Sequence, residues 1–155
     1  MTGIERYAVF IGLVAVIFIA CGCAGYEAAS DNKSLIIVAD RQNYTPLMSS
    51  TVGIGLTPVF SSAVDNDTVS FQWHTDHGYF LSWGAPDFKV YNNGTDVTTS
   101  ARKVYWSYSP EDMGKDKPPV HVTLTIVDKA SGKAIGSSGI EIGWENKSNA
   151  VIKNN

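Results

Sequence analysis

Cysteine is scarce and confined to one end. The chain of 155 residues has two, Cys21 and Cys23, and none beyond them. No disulfide can therefore staple the remaining chain, so whatever folds there is held by its core. A bridge between Cys21 and Cys23 would close too short a loop to form. Charge is sparse as well: 17% of residues are charged, the formal net charge is -3, and the basic residues form no cluster. That pattern lacks the electrostatic footprint of a nucleic-acid binder, and none is expected as a partner. Downstream of Ala24 no helical period lasts beyond two turns, and there is no internal repeat or low-complexity stretch. GxSxG, HExxH and a phosphate loop are all missing, which argues against an enzyme and calls for no cofactor. The acidic residues are scattered, and the adjacent Glu111 and Asp112 share their segment with Lys115 and Lys117, as a solvated loop would.

Hydrophobic and aromatic residues are plentiful by contrast, at 44% and 11%. The longest apolar run is Tyr7 to Ala24, preceded by Arg6. As a helix its 18 residues would reach roughly 27 Å, just short of a bilayer core of about 30 Å. The run ends Ile19-Ala20-Cys21-Gly22-Cys23, a cysteine after small residues. This resembles a prokaryotic lipoprotein signal, which implies acylation of Cys21 or Cys23 as the new N-terminus; an uncleaved single-span anchor is the alternative. Either reading makes residues 1–24 a signal peptide or membrane anchor. Positive charge on the inner side then puts the rest of the chain outside the cytoplasm. Gly25 to Lys33 is small and polar, a flexible tether.

From Ser34 the hydrophobic period becomes two. Leu35 to Val38 is a short apolar run, and Val52, Ile54 and Leu56 alternate with polar or small residues until Pro58 ends or bulges the strand. Val69, Phe71 and Trp73 alternate with Ser70, Gln72 and His74; Tyr79 to Trp83 and Val104 to Tyr108 read as further strands. Val120, Val122, Leu124 and Ile126 form one face of a strand, Asp128 to Lys133 is a turn, and Ile140, Ile142 and Trp144 return. About seven short strands with regular turn signals predict an all-β antiparallel sandwich over residues 34–145, with a barrel as the alternative. A helical turn at Glu111 to Met113 is less expected than a loop, and the polar residues 146–155 read as a disordered tail.

Val69-Ser-Phe-Gln-Trp73 is similar to the central strand of immunoglobulin-like and PKD-type extracellular domains. Val120 to Asp128, the Gly132 turn and Gly139-Ile-Glu-Ile142 resemble their final hairpin. The resemblance implies a non-catalytic, surface-exposed module for binding or spacing, and so an envelope protein or a glycan as partner.

Four candidate sites follow. His74, Asp76 and His77 supply two imidazoles and a carboxylate, suitable for Zn²⁺ or Cu²⁺, with His121 as a possible fourth ligand; an exposed hairpin tip is the plainer explanation. The same stretch, Thr75 to Tyr79, resembles a loop of immunoglobulin-like protease inhibitors. The aromatics Tyr79, Phe80, Trp83, Tyr105, Trp106 and Tyr108 could stack on sugars or a partner protein, although core filling accounts for most of them. Trp73 is expected in the core, with Trp106 and Tyr108 on one face and Tyr105 on the other. Asn43, Asn66, Asn93 and Asn146 each begin an Asn-x-Ser/Thr triplet and fit N-glycosylation of the archaeal kind on an exported domain, while Asn93-Gly94 is also a hairpin turn.

Overall fold

The computed structural model describes residues 35–49, 52–84 and 89–153. The leader and tether readings at 1–24 and 25–33, with Cys21 and Cys23, lie outside the described residues. The described residues form eleven strands: β1 Leu35–Ala39, β2 Asn43–Tyr44, β3 Ile54–Phe60, β4 Val69–Thr75, β5 Tyr79–Gly84, β6 Lys89–Asn92, β7 Asp96–Thr99, β8 Val104–Ser107, β9 Val120–Asp128, β10 Ala134–Glu145 and β11 Asn149–Lys153. A 3-10 turn, Pro110–Asp112, lies between β8 and β9 and is capped by the Ser109 side chain.

The strands form two antiparallel sheets. Sheet A has the order β1-β3-β8-β5-β6 and sheet B the order β2-β11-β10-β9-β4-β7. Alternation explains which side of each strand turns inward. In β4, Val69, Phe71 and Trp73 are buried while Gln72 and His74 are exposed, and in β9 Val120, Val122, Leu124 and Ile126 are buried between exposed or half-buried neighbours. Opposite them, sheet A contributes Ile54, Leu56, Phe80, Val104 and Trp106 to the same core. Burying such side chains stabilises the fold by about 1.5–3 kcal/mol apiece, set against the cost of ordering the chain. Trp106 ties the layers together: its Nε1 donates to Thr75 Oγ1 at 3.1 Å and to the His77 carbonyl at 2.9 Å. Trp73 and Phe80 pack across the sheets with ring centroids 6.3 Å apart.

The two-layer, all-β architecture agrees with the expectation, and so do Trp73 in the core and the opposite placement of Tyr105 from Trp106 and Tyr108. Several readings are corrected. The strand count exceeds seven because β2, β6 and β7 are too short or too polar to carry a period, and β11 follows a turn without glycine. Part of the residue range read as a disordered tail is a strand: β11 pairs with β10 from Glu145↔Asn149 to Glu141↔Lys153 and buries Ala150 and Ile152. Its turn was illegible because Asn146 and Lys147, rather than a glycine, take the positive φ values of 49° and 59°. The loop after Pro110 contains the 3-10 turn instead of an irregular connection. Pro58 neither ends nor bulges β3, which runs on to Phe60. The ladder to β8 stops at Leu56↔Val104, so the proline's missing N–H is not needed on that side.

Candidate binding surface

The two outer faces of the sandwich differ in chemistry. On sheet A, the outward side chains of β1 and β3 are Ile36, Val38 and Val59, exposed at 51%, 45% and 44%. The register pairs Ile36 with Val59 and Val38 with Thr57, so these four form one patch. Across the sheet, Trp83 and Val90 pair with one another and are each 39% exposed. Tyr105 stands edge-on to Trp83 with centroids 4.4 Å apart, and Lys103 Nζ lies 4.8 Å from the Tyr105 ring centre. Gly55 makes room between the two apolar patches. A Cβ there would collide with Lys103 Cε at 2.2 Å and with the Asp40 carboxylate at 2.3 Å, because the Lys103–Asp40 ion pair of 2.8 Å crosses directly above it. Desolvation pushes the Asp40 carboxyl up, but hydrogen bonds from Lys103, Arg41 and the Gly55 N–H outweigh it and hold the group below the usual carboxylate range.

The outer face of sheet B is mostly polar, although Ile135 of β10, beside the irregularity at Gly136, is 48% exposed. Its rows run Thr98–Gln72–Thr125–Ser137 and Asp96–His74–Thr123–Gly139 across β7, β4, β9 and β10. His74 Nδ1 meets Asp96 Oδ1 at 2.8 Å, and the Thr95 hydroxyl together with His74 holds the Asp96 carboxyl below its ordinary value. His121 lies beside two carboxylates, with Nδ1 3.2 Å from Asp76 Oδ2 and Nε2 3.7 Å from Glu141 Oε2.

The predicted metal trio is not brought together. His74 turns to Asp96, Asp76 accepts from the His121 N–H at 3.0 Å, and His77 sits at 6.3 Å and nearly perpendicular to Trp144. Alternation is the reason: His74 is on the outer face of β4, whereas the chain after Thr75 bends inward over the core. Among the described residues no group of three His, Cys, Asp or Glu side chains converges on a point suitable for a metal ion. The His77 main chain is held in place, while its ring Nε2 is buried with no hydrogen-bond partner among the described residues. Its carbonyl accepts from Thr75 Oγ1 at 2.7 Å as well as from Trp106, and its ring is 3.9 Å from Asp112.

The aromatic set divides. Phe80, Trp106 and Tyr108 are core, Tyr79 is half-buried, and Trp83 with Tyr105 is left on the outer face of sheet A. Tyr108 donates to the Ser148 carbonyl, and burial, with Tyr44 adding to it, pushes its phenol up to about 12. Lys117 lies 4.3 Å above Trp144 and donates to the carbonyls of Asp112 and Lys147, which pins the loop over this end of the core. Of the Asn-x-Ser/Thr triplets, Asn43, Asn93 and Asn146 are exposed, while Asn66 is half-buried and accepts from Arg102 Nε.

Sequence reasoning did not single out Ile36, Val38 and Val59. One signal was there: a run of four apolar residues in a strand is apolar on both sides, whereas a strand with one wet face alternates. No family model matches this chain, no curated protein matches it, and no solved structure matches it.

Proposed function

We propose that this protein is an extracytoplasmic, immunoglobulin-like binding module without catalytic activity. It is held at the membrane through residues 1–24 and contacts an envelope protein or a glycan through the outer face of sheet A. The observation that carries the reading is the contrast between the sheets: Ile36, Val38, Val59, Trp83 and Val90 lie open on one, while the other presents mainly hydroxyls, amides and ion pairs, with Ile135 as an exposed large apolar residue among those described. Leaving large apolar side chains in water gains nothing for folding, and two such patches on one face, with the Lys103–Asp40 ion pair between them, mark a contact surface. The Trp83–Tyr105 pair, flanked by Lys103, combines flat apolar area with a polar neighbour, the composition that anchors interfaces and stacks on sugar rings. The lipoprotein-like end at Cys21 and Cys23 supports the tether, since two acyl chains hold a protein stably where one is marginal.

Mass spectrometry of the native protein tests the tether. The expected first residue is an acylated Cys21 or Cys23, and an unmodified N-terminus at Met1 in a soluble fraction contradicts it. Retention of the purified protein on immobilised envelope proteins and polysaccharides tests the surface, with loss of retention expected for Trp83→Ala.

A further inference from the structure

Sheet A forks where two of its ladders part. Among the described residues, β5 pairs with β8 from Tyr79↔Ser107 to Leu81↔Tyr105, while its pairing with β6 carries on to Gly84. β8 starts at Val104, opposite Leu56 of β3, so past the fork it follows β3 and leaves β5. A cleft of about 220 Å³ lies in the fork. Trp83 and Tyr105, whose rings meet edge-on at the outer face, line its outer end, and Val97 and Thr99 close it from behind. Those two turn inward from sheet B, since they pair with the buried Trp73 and Phe71.

The lining offers hydrogen bonds of both senses. Phe80 N–H donates to the Gly94 carbonyl and its carbonyl accepts from Asn93 N–H, both at 2.9 Å and both on the β6 side. By antiparallel alternation Ser82 also bonds towards β6, and the Trp83 N–H and C=O point the other way, into the fork, where the ladder has ended. Thr99 Oγ1 accepts from the Ala101 N–H at 3.0 Å and keeps its own proton to donate. Ser82 Oγ donates to Asn93 Oδ1 at 3.2 Å and keeps its lone pairs to accept. Lys103 is the one charged residue lining the cleft among those described, and its ammonium is turned to Asp40, 2.8 Å away above Gly55.

We propose that this cleft binds one uncharged sugar ring, the terminal residue of a glycan. The inference rests on the reading of sheet A as a contact face and names the ligand of its aromatic half. Size sets the first limit: sites for drug-sized ligands span roughly 300–1,000 Å³, so this cleft admits a single ring. Charge sets the second, because the Lys103 ammonium is already paired and nothing in the lining selects an anion or a cation. Hydrogen bonding sets the third. A hydroxyl both donates and accepts, so a polyol satisfies Thr99, Ser82 and the Trp83 main chain together, whereas an apolar side chain of a partner protein would leave them unpaired. The aromatic end supplies flat apolar area for the C–H side of the ring.

The test uses the full chain in micelles of a detergent without a sugar headgroup. It is titrated with the methyl glycosides of glucose, galactose, mannose and N-acetylglucosamine, and with that of glucuronic acid. A neutral glycoside is expected to shift the Trp83 indole and Thr99 amide resonances saturably, with half-saturation on the order of 1 mM for so small a ligand. The glucuronide is expected to bind no tighter than the glucoside. Ala101→Leu, at an exposed position lining the cleft, is expected to weaken binding roughly tenfold or more while retention on envelope proteins is unaltered. Should that variant fail to fold, Thr99→Val reads the same site by removing the hydroxyl, with a severalfold loss expected. Three results overturn the inference: no saturable shift with any neutral glycoside, undiminished binding to the variants, or a tighter fit for the glucuronide. If one of them occurs while the protein is still retained on envelope proteins through Val59, the contact face stands without a sugar cleft; if that retention is absent as well, the face itself falls.

Discussion

Sheets A and B share one core but turn opposite chemistry to the outside. On sheet B, strict alternation keeps Val120 to Ile126 inside and His121, Thr123 and Thr125 outside, with His74–Asp96 and His121–Asp76 pairs on the surface. On sheet A the outer side is also apolar at β1 and β3, and aromatic at Trp83 and Tyr105, with one ion pair bridging the middle. Since the interior needs only one face of each sheet, the second apolar face is surplus to folding. On the proposed reading, that surplus serves contact with other molecules on sheet A, while sheet B is solvated.

Trp106→Ala is expected to have the largest effect and to spare neither face. It removes a fully buried indole and both of its hydrogen bonds, to Thr75 and His77. The expected loss is about 3–5 kcal/mol in a denaturant melt, enough to unfold a marginal domain. A loss under about 1 kcal/mol would mean the sheets do not depend on this link.

Surface changes then separate the two faces. Val59→Lys is expected to cut partner retention about tenfold or more while moving stability by less than about 0.5 kcal/mol. Thr125→Lys, the matching change on sheet B, is expected to leave retention unaltered. Equal losses from both would erase the distinction drawn between the faces.

Acid titration gives a smaller effect with a definite sign. Asp40 has its folded value held below the ordinary range, so its stabilisation is fully present above about pH 4 and is lost as pH falls through the folded value. Lys103→Met is expected to cost about 0.5–1 kcal/mol at neutral pH, after allowance for solvent screening, and to flatten the acid limb of the stability curve. The smallest effect is expected of His74→Gln. Because His74 pairs with Asp96 on an exposed surface, zinc titration is expected to give the same result with and without the substitution. A loss of zinc binding on substitution would restore the metal reading.

What the residues disclosed depended on periodicity. β4, β9 and the second half of β10 were readable because one buried face forces alternation, and the Gly132 turn because its φ of 68° favours glycine. β6 escaped because all four of its residues are exposed and no core pattern constrains them. β11 escaped because its entry turn uses Asn146 and Lys147 where a glycine would have announced it. For the site, sequence located Trp83 and Tyr105 but could not join them to Val59 or Ile36, since cross-strand neighbours are set by register. The same limit made His74, Asp76 and His77 look like one cluster when strand alternation and the bend after Thr75 send them apart.

The most direct measurement is photo-crosslinking in intact membranes, with a photoreactive residue placed at Val59 or Trp83 on sheet A and at Gln72 or Thr125 on sheet B. Crosslinks to a discrete envelope protein or glycan are predicted from the sheet A positions alone. Crosslinks of equal strength from both faces, or from sheet B alone, would contradict the assignment of binding to sheet A.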